Sequence, residues 1–195
     1  MAHHTLYLVR HGQYDTANEH PLGGSLTALG RQQAEYLAEA LKGVPLSAFY
    51  TSPLRRAVET AYIIAPHFLD CTVQIVEGLR EVVPCIPQDL TEHFAINLPH
   101  LTSEDVHNGR MAADETFDRL FYVPEEEDLH TLIIAHGNIM DYFLTLLLDM
   151  PAEKWLSFET LHCSITKCGI GSSGRQKLLA YNETGHLPPE LRLMS

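Results

Sequence analysis

Two short runs with no charged side chain, residues 6–9 and 132–135, lead into a His-Gly pair, the first through Arg10 and the second directly. Neither run alternates apolar with polar residues as a half-exposed strand would, and both are too short for a helix. They read as strands of a sheet covered on both faces. Such strands are parallel and need crossovers, and the intervening chain supplies them. After a loop of turn formers (Asp15, Asn18, Pro21, Gly23, Gly24), Leu29, Tyr36, Leu37, Ala40 and Leu41 recur at helical spacing before Gly43. A short strand over 46–51 follows, and Ser52 and Pro53 then read as the N-cap and first residue of a helix running to about His67. Its apolar stripe is Leu54, Ala57, Val58, Ala61, Ile64 and Ala65, with Arg55, Arg56, Glu59 and Thr60 off the stripe. A third strand is expected over 72–76, a helix over 138–148, and closing strands over 164–169 and 176–181. The alternation predicts an α/β fold: a three-layer α/β/α sandwich on a mostly parallel sheet, with right-handed crossovers.

The 195 residues show no repeat and no linker composition, so residues 1–195 are expected to form one domain. Residues 82–128 break the alternation with Pro84, Pro87 and Pro99, a helical stretch over 103–121 and the acidic run Glu125, Glu126, Glu127, Asp128. This excursion reads as a cap over a site mouth, and its acidic run as a solvated loop. A net charge of −12 argues against nucleic acid and anionic membrane surfaces as partners, and requires that any anionic ligand be held by a local basic pocket. The longest apolar stretches fall far short of the roughly 20 residues of a membrane span. Cys71, Cys85, Cys163 and Cys168 contain no C-x-x-C pair and are expected to be buried free thiols. No basic leader or cleavage site precedes Thr5, from which a cytoplasmic location is expected. His3 and His4 are set aside as tag-like. A homodimer is the ordinary assembly for such a chain.

Ligands of parallel sheets bind outside the carboxyl ends of the strands, where His11 and His136 would converge. Gly12 and Gly137 let the backbone turn sharply there and approach a ligand. Arg10 ends a buried strand with a guanidinium, which calls for an anion. Arg55 and Arg56 lie in the first turn of a helix, itself an anion-attracting position. Glu59 at i+4 gives Arg55 a surface ion pair instead.

Taken in order, these residues resemble the histidine phosphatase (phosphoglycerate mutase-like) superfamily. The resemblance rests on Arg10-His11-Gly12, on Leu26-Thr27 with Gly30 and Gln33-Ala34, on Ser52 with Arg56-Ala57 and Thr60-Ala61, on Glu81, and on His136-Gly137. Leu79-Arg80-Glu81, Trp155-Leu156, Ser164-Ile165-Thr166 and the tail from Thr184 to Pro189 look most like the mitochondrial serine/threonine protein phosphatase branch. The resemblance implies a metal-independent phosphomonoester hydrolase that needs no cofactor and takes a phosphorylated substrate, either phosphoserine/phosphothreonine proteins or small phosphate esters. His11 would be the nucleophile, forming a phosphohistidine, and Glu81 the general acid and base, with Glu77 its rival. Arg10, Arg56 and His136 would hold the phosphate oxygens, with Gly137, Gln13, Thr27 and Asn138 around them. Phosphoglycerate mutases of the family carry Glu-Arg-x-Tyr-Gly where this chain has Glu81-Val82-Val83-Pro84-Cys85, so water is the expected acceptor. A mutase, a sugar-phosphate phosphatase and a phosphate-binding scaffold with little activity are the alternatives.

Overall fold

The computed structural model describes residues 2–17, 20 and 22–192; Asn18 and Pro21 of the first loop lie outside these. Six strands form one sheet: β1 (His3–Arg10), β2 (Ala48–Thr51), β3 (Val73–Ile75), β4 (Leu129–Ala135), β5 (Ile165–Gly171) and β6 (Gln176–Glu183), in the order β3-β2-β4-β1-β5-β6. The first four are mutually parallel, and β5 and β6 extend the sheet antiparallel from β1. The helices are α1 (Ala28–Leu41), α2 (Arg55–Ile64), α3 (Thr91–Asn97), α4 (Ser103–Leu120) and α5 (Gly137–Leu147).

Successive strand residues point to opposite faces, and both faces are covered. Leu6, Leu8, Ile133 and Ala135 join Ala113 and Phe117 of α4 and Ile139 and Phe143 of α5 in one apolar cluster. Val9, Leu132 and Ile134 join Leu37 and Leu41 of α1 and Ala57, Ala61 and Ile64 of α2 in the other. This two-sided burial is why the central strands carry no polar alternation. Each fully buried Leu or Ile contributes roughly 1.5–3 kcal/mol relative to exposure.

Three local expectations are corrected. The helix after β2 starts at Arg55, and its N-cap, Leu54, has no side-chain cap bond. Ser52 instead accepts the Leu54 N–H at 3.2 Å and turns its hydroxyl toward His136. Arg56 and Thr60, placed off the apolar stripe, are buried, because that flank of α2 faces the loop leaving β1. His4 is no appendage: β1 begins at His3, and the His4 ring is wholly buried between Thr131 Oγ1 (2.8 Å) and the Tyr122 carbonyl (3.0 Å).

Within the excursion, α4 begins with a capping box between Thr102 and Asp105 and buries Ala113, Thr116, Phe117 and Leu120. Phe117 and Phe121 stack at 4.1 Å and both meet Phe143. In contrast, α3 buries none of its residues and exposes Ile96. Glu125, Glu126 and Glu127 are exposed, and Asp128 accepts the His3 N–H at 2.8 Å. All four cysteines are free; Cys163 and Cys168 are buried, while Cys71 and Cys85 are only half-buried. Among the described residues no helix is long and apolar enough to cross a membrane.

Candidate active site

The register of β1 against β4 sets Arg10 opposite Ala135, so the two chains leave the sheet side by side. The His11 N–H donates to the Ala135 carbonyl at 3.1 Å, and the rings of His11 and His136 lie 5.0 Å apart. A Cβ on Gly12 would sit 2.5 Å from the Gly30 carbonyl oxygen, so only glycine lets this loop fold back against α1. Thr60 pins the turn, accepting the Gly12 N–H at 3.1 Å while donating to the Arg56 carbonyl at 2.8 Å.

His11 is buried and its tautomer follows from its partners. Nδ1 lies 2.8 Å from the Gly12 carbonyl, which can only accept, so Nδ1 carries the proton. Nε2 keeps its lone pair and accepts from Arg56 Nε at 2.9 Å. Burial, reinforced by His136 and Arg56, holds His11 well below its ordinary pKa and so neutral. Arg56 is also buried and lies 4.4 Å over the Tyr14 ring, a cation–π contact that fixes the guanidinium plane. Arg10 donates to the Thr160 carbonyl at 2.6 Å, and its buried Nε has no partner among the described residues. His136 bonds Ser52 Oγ through Nε2 at 2.7 Å, leaving Nδ1 buried and without a partner among the described residues. Burial, Arg56 and Arg10 hold it neutral as well.

Glu81 approaches the start of α5, accepting the Ile139 N–H at 3.3 Å. Burial pushes its carboxyl up to about 7, against the opposing pull of Arg56 and Arg10. A cavity of about 190 Å³ joins Arg10, Glu81 and Gly137 to Asn138, Asp141 and Thr160, with Trp155, Phe158 and Glu159 on its walls. Thr160 donates to Asp141 at 2.5 Å, and burial raises that carboxyl to about 6.

The structure therefore brings His11, His136, Arg10, Arg56, Glu81 and Gly137 together, with Asn138 beside them. Glu77 is exposed and paired with Arg80 at 2.9 Å. Arg55 binds Glu59 at 3.0 Å, and Glu59 also holds Arg31 at 2.7 Å. Thr27 caps α1 by accepting the Gly30 N–H, and its hydroxyl donates to Gln13 Oε1 at 2.7 Å. The Thr27 and Gln13 side chains thus bond each other and tie the first loop to α1. Sequence reasoning missed His162 and Asp141. The His162 ring lies 5.5 Å from that of His11, with neither nitrogen partnered among the described residues. Its only sequence signal is its place two residues before a predicted strand, in a chain of twelve histidines. Asp141 could have been found as the lone charge inside the apolar stretch that forms α5.

Comparison with known proteins adds independent findings. The model of the histidine phosphatase superfamily (branch 1) matches residues 6–184. The chain is 33% identical over 193 residues to the mitochondrial serine/threonine-protein phosphatase Pgam5 of Drosophila yakuba, covering 95% of this chain and 65% of that one. It thus spans a little under two thirds of that relative. A phosphoglycerate mutase from Plasmodium falciparum superposes with a TM-score of 0.65 at 26% identity, over 97% of this chain and 96% of that one. A phosphoserine phosphatase from Entamoeba histolytica shares the fold, with a TM-score of 0.70 at 23% identity over 95% and 100% of the two chains. The mitochondrial designation of the Drosophila relative overturns the cytoplasmic location expected from the first residues.

Proposed function

Because the chain belongs to branch 1 of the histidine phosphatase superfamily, we propose that it hydrolyses phosphomonoesters through a phosphohistidine on His11. Its substrates in this reading are phosphoserine or phosphothreonine in proteins, or small phosphate esters; the Drosophila relative's name supports the former. The observation that carries the reading is the His11 ring. Its Nδ1–H is fixed on the Gly12 carbonyl, and its Nε2 lone pair meets Arg56 at 2.9 Å in a pocket that keeps it neutral. A neutral, oriented imidazole beside fixed cations is what attack on a dianion requires.

In the first half-reaction Nε2 bonds to phosphorus as the ester P–O bond breaks, and Glu81 gives its proton to the departing alcohol oxygen. Arg10, Arg56 and His136 hold the equatorial oxygens, where charge spreads in the transition state. In the second, the Glu81 carboxylate takes a proton from water, whose oxygen attacks phosphorus. The P–N bond breaks, releasing inorganic phosphate and returning neutral His11. A carboxyl near pH 7 suits both duties, since each protonation state is well populated at neutrality.

The carboxylates of Asp141 and Glu159 around the adjoining cavity favour a neutral or cationic alcohol over the anionic backbone of a phosphoglycerate. This supports hydrolysis over mutase chemistry. The test is turnover of 4-nitrophenyl phosphate and a phosphoserine peptide, with trapping of acid-labile, alkali-stable phosphate on the protein. Label and turnover absent from His11→Ala are expected; turnover that survives this substitution would reject the mechanism.

A further inference from the structure

His162 lies in the short connection between Trp155 and β5, and the backbone around it is unusually constrained. Leu161 N–H donates to Asn182 Oδ1 at 2.8 Å, Cys163 N–H donates to the Arg10 carbonyl at 2.9 Å, and Ser164 N–H closes the turn on the Leu161 carbonyl at 3.1 Å. His186 Nε2, facing a carbonyl and therefore protonated, donates to Cys163 O at 3.0 Å. Cys163 adopts φ +54°, a left-handed conformation that a non-glycine residue takes only where its surroundings enforce it. The enforced turn delivers the His162 ring against the site, 5.5 Å from the His11 ring and tilted by 54°.

His162 is 6% exposed as a residue, and among the described residues neither Nδ1 nor Nε2 has a hydrogen-bond partner. A core histidine would satisfy at least one nitrogen, as His4 does with both. Arg10 Nε and His136 Nδ1, in the same neighbourhood, are likewise buried without a partner among the described residues. Each lacks a partner of the same kind, and an imidazole always has an N–H to offer in one tautomer or the other. A tetrahedral oxyanion between them would accept from Arg10 Nε, from His136 Nδ1 and from the one protonated nitrogen of His162. We propose that His162 is a third imidazole of the phosphoryl pocket, a neutral donor to one oxygen of the substrate and of the phosphohistidine. The proposal rests on the phosphatase reading above and adds a ligand to it.

Its chemistry differs from that of the two guanidiniums. Burial, with Arg10 and Arg56 nearby, holds His162 down at about 3, so the ring meets an incoming oxyanion as a neutral imidazole. It thereby orients phosphorus through a single hydrogen bond rather than through a further charge.

The experiment compares the wild-type chain with His162→Phe, which keeps a ring without a donor, and His162→Gln, which keeps a neutral donor. The readouts are inhibition by inorganic phosphate, KM and kcat for 4-nitrophenyl phosphate, and the 15N resonances of the His162 ring during a phosphate titration. One hydrogen bond to a charged group is worth about tenfold to a hundredfold in affinity. Phosphate should bind His162→Phe more weakly by roughly that factor, KM should rise in parallel, and His162→Gln should recover most of the loss. The wild-type ring resonances should move as phosphate saturates the site. If His162→Phe does not fold, His162→Gln and the resonance shift decide alone: a Gln variant bound less than threefold more weakly, together with a shifting wild-type ring, supports the proposal. Phosphate affinity unchanged in the folded variants, with the wild-type ring resonances unmoved, overturns this proposal and leaves the His11 mechanism standing. A wild-type protein that neither binds phosphate nor turns over the ester overturns both.

Discussion

The strand-end cradle and the excursion of residues 82–128 are built differently. At the cradle, buried polar groups outnumber their partners among the described residues: Arg10 Nε, His136 Nδ1 and both nitrogens of His162 are left over. In the excursion, stability comes from ordinary means, a capping box and a stack of phenylalanines on Phe143. Unmatched buried donors cost folding free energy and are retained where something must bind. The comparison teaches that substitutions in the two regions should fail in different ways, one in chemistry and the other in stability.

The sharpest test is His11→Ala. Turnover of 4-nitrophenyl phosphate should fall by about 10⁴-fold or more, while the melting temperature holds or rises because a buried, cation-flanked ring is removed. Next, Glu81→Gln should lower kcat by about 10²- to 10⁴-fold. In the wild type the acid role requires protonated Glu81, so the ester-cleavage rate should decline as pH rises through about 7, and that limb should vanish in Glu81→Gln. In the excursion, Phe117→Ala should destabilise by about 3–5 kcal/mol in denaturant melts yet leave kcat/KM within about threefold at temperatures where the variant is folded. Thr102→Ala, which removes the α4 cap, should cost about 1 kcal/mol with no kinetic effect. Loss of turnover in Phe117→Ala at full folding would erase the distinction between the regions. Smallest of all, Arg55→Ala should cost well under 1 kcal/mol, since its ion pair with Glu59 is half exposed. Its neighbour Arg56, one residue on, should be indispensable to turnover.

Acid should also separate the regions. The folded chain holds His11, His136 and His162 neutral below their ordinary range, whereas the unfolded chain protonates them below about 6.5. Their contribution to stability is therefore present above that pH and lost as pH falls below it. Glu81, with its raised value, works the other way, losing stability as pH climbs from the usual carboxylate range to about 7.

Much of this was legible in the sequence because β1 and β4 announce themselves twice, by uniform apolarity and by the polar pair that ends each one. The helix after β2 was legible as an element but not as a surface. Its periodicity could not reveal that Arg56 and Thr60 turn inward, because the loop that covers them comes from residues 12–14, far away in the chain. Ser52 carried a capping signature and serves His136 instead, a choice made by tertiary contact. His162 was not legible: no spacing rule links it to residue 11, and it arrives through a turn whose constraint is visible only in three dimensions.

Arg10 grips the connection before β5 at two points, its carbonyl accepting from Cys163 and its guanidinium donating to Thr160. The cation and the bend carrying His162 are thus one clip, tethered through Asn182 to the edge strand β6 and through His186 to the tail. Loosening β6 or the tail would shift both anion contacts in concert, so damage remote from phosphorus would weaken the pocket's grip without touching the attacking nitrogen.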